Sequence, residues 1–67
     1  MYILKEDVAE EIRKKYKNNY LVETIGISRP YVSYILHRKK SISKRLAYFF
    51  TKTIDKDKEI EDLFDLV

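Results

Sequence analysis

One glycine and one proline stand in 67 residues, four positions apart: Gly26 and Pro30, inside ETIGISRPYVSYI, Glu23 to Ile35. A chain this poor in turn residues cannot make a hairpin-rich β fold. It must be built of helices with short connections. Apolar residues flank the break at helical spacing on both sides. The stretch therefore demands two short helices around one tight turn.

The spacing predicts five helices. The first runs over about Lys5 to Lys17, with Leu4, Val8, Ile12 and Tyr16 on one stripe at i, i+4. Its acids Glu6 and Asp7 come first and Arg13, Lys14 and Lys15 last, the order the helix dipole favours. The second runs over about Tyr20 to Ile25 and ends at Gly26, since glycine takes the left-handed conformation at low cost. Ser28 is a natural N-cap for a third, about Arg29 to His37, with Pro30 tolerated in its first turn and Val32, Ile35 and Leu36 as its buried stripe. Ser43 caps a fourth, about Lys44 to Thr53, with Leu46, Phe49, Phe50 and Ile54 facing inward, Ala47 at a close approach and Ile42 folded back as a staple. The fifth, about residues 55–67, is an acidic amphipathic helix with Ile60, Leu63, Phe64 and Val67 on its apolar face. The expected fold is a single all-α domain over residues 1–67.

Composition excludes several functions. There is no cysteine, so neither disulfides nor thiolate metal sites can brace so small a core. No apolar run approaches a membrane span, and MYILKED turns charged too soon for a signal peptide, so a cytoplasmic protein is expected. The lone His37 has no nucleophile or acid partner in the sequence and no glycine-rich phosphate loop is present, which argues against an enzyme. DKDKEIED alternates acids but lacks the glycine and the bidentate glutamate of a calcium loop. No cofactor or metal is expected. Charge is uneven. Residues 18–53 hold seven Lys or Arg against one acid, Glu23, whereas residues 54–67 hold two against six. A basic middle and an acidic tail suggest one surface for a polyanion.

Two short helices, a turn at Gly26 and a second helix with an exposed polar face make a helix-turn-helix over about residues 19–37, provided that Val22, Ile25, Ile27, Val32 and Ile35 share one small core. LVETIGISRPYVSYILHRKKSIS resembles the Cro/C1-type (XRE) helix-turn-helix of phage repressors and their bacterial relatives. The matching positions are Leu21-Val22, Ile25-Gly26-Ile27-Ser28, Val32, Ile35 and the basic tract Arg38-Lys39-Lys40, followed by Ile42, Leu46, Ala47 and Phe50. The likeness covers about residues 4–54 and implies a compact five-helix lambda-repressor-like domain. Val22 stands where the family usually has alanine. Leu36 and Arg38 stand where it commonly has a glutamate and, two residues later, a glycine.

In that family the first turn and outer face of the third helix read bases. The resemblance implies this role for Ser28, Arg29, Ser33 and Tyr34, with Pro30 and Tyr31 beside them. Arg29 is the foremost candidate because a guanidinium can grip guanine O6 and N7 together. Backbone phosphates would be held by Asn19 and Tyr20 at the start of the second helix and by His37, Arg38, Lys39, Lys40, Ser43 and Lys44 after the third. Leu63, Phe64, Leu66 and Val67 form either a core face or the seam of a homodimer, since palindromic operators are read by dimers. The expected function is a DNA-binding transcriptional regulator of phage or mobile-element type, occupying a promoter operator. The rival is a helix-turn-helix protein that acts through a protein partner, with Tyr31 and Tyr34 as contacts.

Overall fold

The two ends of the chain lie side by side. Tyr2–Leu4 form strand β1 and Phe64–Leu66 form strand β2, antiparallel, with Tyr2 opposite Leu66, Ile3 opposite Asp65 and Leu4 opposite Phe64. The computed structural model describes residues 1–67. Between the strands the chain is helical: α1 (Glu6–Lys15), α2 (Asn18–Leu21), α3 (Arg29–Leu36), α4 (Lys44–Ile54) and α5 (Ile60–Leu63). α2 runs on without a break as a π-helical turn over Val22–Gly26. The Cα radius of gyration is 10.4 Å, close to the value of about 11 Å expected of a folded chain this long.

The helices start where local chemistry starts them. Ser28 Oγ accepts from the Tyr31 N–H at 3.3 Å, and Ser43 Oγ accepts from the Leu46 N–H at 3.3 Å. Each cap satisfies an amide that the first turn leaves without a partner. On α1, Lys14 pairs with Glu10 and Lys15 with Glu11, both at 3.2 Å and exposed, supporting the helix by a few tenths of a kcal/mol each. α2 begins at Asn18, two residues before the expected Tyr20, because Lys17 is extended and its carbonyl accepts from the Tyr20 N–H.

Thirteen apolar residues form one core: Leu4, Ala9, Ile12, Leu21, Val32, Ile35, Leu36, Ile42, Ala47, Phe50, Ile60, Leu63 and Phe64. Phe50 and Phe64 meet edge to face with centroids 5.8 Å apart. Val22, Ile25 and Ile27 pack around the core half-buried rather than within it. Arg13 of α1 donates from Nη1 to the Leu36 carbonyl, tying α1 to the end of α3.

Two expectations are corrected. The helix expected over residues 55–67 shrinks to α5, four residues, and the chain then extends into β2. Lys52 Nζ donates to the carbonyls of Lys56 and Lys58, and Asp55 accepts from the Asp57 N–H, so residues 55–58 make a turn instead of a first helical turn. Glu59 and Asp62 then form a capping box that starts α5. Past Leu63 the backbone opens because Phe64 gains more by facing Phe50 and pairing with Leu4. Phe49, expected inward, is 55% exposed. The buried face of α4 runs through Ala47, Phe50 and Thr51, and Thr51 is buried because its hydroxyl donates to the Ala47 carbonyl at 2.8 Å. The chain is mostly helical, as expected of an all-α domain, and the two three-residue strands are additional to that expectation.

Gly26 has φ +82°, and a Cβ built there would meet no atom within 4 Å. The demand for glycine is therefore conformational and not a matter of space. Gly26→Ala is expected to lower stability by about 1 kcal/mol, the left-handed strain less the gain from a stiffer unfolded chain. Urea denaturation of the two proteins measures it.

Candidate nucleic-acid interface

α3 turns Val32, Ile35 and Leu36 into the core. The opposite side carries Pro30, Tyr34 and His37 at i, i+4, i+7, with Arg29 and Ser33 along one flank. Tyr34 is 46% exposed. A shallow hollow lies on each side of it. One is lined by Ser33, Tyr34, His37 and Lys39. The other is lined by Ser28, Pro30, Tyr31, Tyr34 and Lys40. The structure thus gathers Ser28, Tyr31, Ser33, Tyr34, His37, Lys39 and Lys40 on one surface. Tyr31 is half-buried and packs against the core, so only part of its side chain is open there.

The bend that brings the lysines back is a helix C-cap. The Arg38 N–H donates to the Ile35 carbonyl at 3.1 Å and the Lys39 N–H to the Tyr34 carbonyl at 2.8 Å. These are the two bonds of a Schellman closure, which needs a left-handed residue just past the helix. Arg38 is that residue, with φ +58°. It is also the position at which the resembled family commonly has glycine.

Arg38 is a correction to the expected phosphate set. Its Nε donates to the Leu4 carbonyl at 2.8 Å and its guanidinium lies 4.0 Å from Glu6. The side chain ties the loop after α3 to β1, and that bond helps hold a conformation that side chains otherwise avoid. The Tyr20 N–H is already donated to the Lys17 carbonyl and its ring stacks on Tyr16 at 5.8 Å, which leaves the amides of Asn18 and Asn19 as the open ones of α2, while the Tyr20 side chain stays exposed. Ser43 Oγ accepts from the first turn of α4, and its O–H keeps its capacity to donate. Leu63 and Phe64 belong to the core, while Leu66 and Val67 are 70% and 68% exposed.

The ion pairs of the molecule engage Lys14, Lys15, Arg38 and Lys52. Arg29, Lys39, Lys40, Lys44 and Arg45 are exposed and have none. Arg45 is an addition to the expected cations. Its signal was its place beside Lys44 in the first turn of α4, where no acid follows. No group of three His, Cys, Asp or Glu side chains gathers to hold a metal, and no helix is long and apolar enough to cross a membrane.

Comparison of the chain with protein-family models, with curated proteins and with solved structures returned no match.

Proposed function

We propose that this protein is a Cro/C1-type helix-turn-helix regulator that binds operator DNA, with α2 and α3 as the two helices and α3 lying in the major groove. The observation that carries the reading is the surface around Tyr34. A helix face of small and aromatic residues is bounded by cations without ion-pair partners, in a stretch with one acid. Major-groove readers need this combination: side chains short enough to reach base edges, and cations that hold the phosphates on either side. Arg29 and Ser33 are the base-reading pair on one flank, and Tyr34 supplies apolar contact for a thymine methyl. Lys39, Lys40, Lys44 and Arg45 hold the backbone. A bound promoter would be repressed by occupancy, with two copies on two half-sites one helical turn apart.

A partner-protein reading has one observation of its own. Tyr48 and Phe49 lie next to each other on the outer side of α4, 53% and 55% exposed, and aromatic residues are favoured in protein interfaces. The two readings separate on salt. Each phosphate that a cation neutralises releases counterions, so the slope of log K against log salt is shallower by about 0.9 for every phosphate left unneutralised. Lys39→Ala and Lys40→Ala are each expected to weaken binding to all duplexes alike and to flatten that slope by about one. Fluorescence anisotropy with a labelled duplex at several salt concentrations measures both effects. An unchanged slope in both variants contradicts the phosphate role.

A further inference from the structure

We propose that Arg38 positions the phosphate-binding lysines without touching DNA itself, by fastening the loop that carries them to β1. The role of Lys39 and Lys40 rests on the operator reading; that of Arg38 rests on hydrogen bonds within the chain. The loop from Arg38 to Ile42 is secured at both ends to the same strand. At one end the Arg38 Nε donates to the Leu4 carbonyl at 2.8 Å. At the other the Tyr2 N–H donates to the Ile42 carbonyl at 2.8 Å and the Ile42 N–H to the Tyr2 carbonyl at 2.7 Å. Alternation along an antiparallel strand makes this possible. The Lys5 N–H donates to the Leu63 carbonyl and the Val67 N–H to the Met1 carbonyl, both at 2.9 Å, so Met1, Ile3 and Lys5 face the C-terminal strand. Tyr2 and Leu4 turn their backbone groups the other way, to the loop.

The side chains of the loop divide accordingly. Lys39 lines the hollow beside Ser33 and His37, Lys40 lines the one beside Ser28 and Pro30, and Arg38 lines neither. Both lysines are exposed and have no ion pair. A backbone held at both ends beneath free cations is preorganised, so less order remains to be imposed when phosphates arrive. Arg38 is needed for this because of its backbone. Its φ of +58° is left-handed, a conformation that a Cβ disfavours. The closure of α3 demands it, since the Lys39 N–H reaches the Tyr34 carbonyl past a left-handed residue. Glycine would take that conformation without strain. An arginine has to be held in it. The Glu6 side chain is 86% exposed and 4.0 Å away, so its attraction adds little. The charge-assisted bond to Leu4, partly buried, does the holding. Alanine at this position keeps the strain and loses the fastening, whereas glycine loses both.

Arg38→Ala and Arg38→Gly therefore separate position from contact. Hydrogen exchange at the Lys39 amide, set against that of Phe50 within α4, reports the closure without any DNA. In Arg38→Ala the Lys39 amide is expected to exchange about tenfold faster relative to Phe50, the factor by which left-handed strain shifts an equilibrium. Binding of that variant to a labelled duplex is expected to weaken about tenfold, for all sequences alike. In Arg38→Gly exchange and affinity are both expected to stay within about threefold of the parent, with the salt slope unchanged. Arg38→Gly carries the decision alone if Arg38→Ala does not fold. A salt slope shallower by about 0.9 in Arg38→Gly would make Arg38 itself a phosphate contact and overturn the assignment. Parent-like exchange and affinity in a folded Arg38→Ala would overturn it too, because the arginine would then hold nothing. A parent chain that binds no duplex would remove the operator reading, and exchange at Lys39 would still decide whether Arg38 holds the loop.

Discussion

Phe50→Ala is expected to destabilise the domain by about 3–5 kcal/mol, the range for truncating a fully buried aromatic. Phe50 is fully buried on α4, and its ring meets Phe64 edge to face. Phe64 in turn is the β2 residue opposite Leu4. One side chain thus links a helix to the small sheet that closes the two chain ends. A domain of this size has little core to spare, and total stabilities begin near 5 kcal/mol, so the variant should be largely unfolded at mild temperature. The neighbouring Phe49→Ala is expected to change stability by no more than about 0.5 kcal/mol, because Phe49 is mostly in solvent. Thermal or urea unfolding of both variants measures the contrast. Equal losses would mean that α4 presents a different face to the core.

Arg29→Ala is expected to weaken binding to the preferred operator by about 1–3 kcal/mol and to relax the preference at one base pair, leaving affinity for random duplex almost unchanged. Arg29 is the first residue of α3, exposed, and its side chain makes no ion pair or hydrogen bond that truncation would remove. The stability of the fold should therefore stay within about 0.5 kcal/mol of the parent, and weaker binding then reports the Arg29 side chain at the DNA itself. Competition binding against selected and random duplexes measures it. Equal weakening on both would make Arg29 a phosphate contact and not a reader of bases.

What the sequence made legible was the chemistry that acts over a few residues. Ser28 and Ser43 cap α3 and α4 as expected, since a cap is decided by the amides that follow it. Gly26 takes the positive φ that its place in the turn suggests. Phe49 is hard to place because Phe49 and Phe50 both fit an apolar stripe. Phe50 turns inward beside Ala47 and Thr51, whose hydroxyl is satisfied within its own helix, and a polar residue gives no sign of that in a sequence. LFDLV suits a helix face and a strand about equally. It becomes β2 because Leu4, at the other end of the chain, is there to pair with Phe64. Arg38 looks like one more cation in a basic tract, and nothing local reveals that its Nε reaches the Leu4 carbonyl or that it takes the left-handed position. For the candidate site, the outer face of α3 is readable from helical spacing alone. That Lys39 and Lys40 fold back beside Tyr34 is not, because the fold-back depends on the Schellman closure.

A helix face that reads duplex DNA must select one sequence over others. Selection of bound sequences from a random pool of duplexes, using the full chain at moderate salt, tests this for the outer face of α3. The expected result is enrichment of a palindromic site whose half-sites lie about one helical turn apart, bound with a steep salt dependence. Recovery of no common sequence, with weak binding alike for every duplex, would contradict base reading by α3.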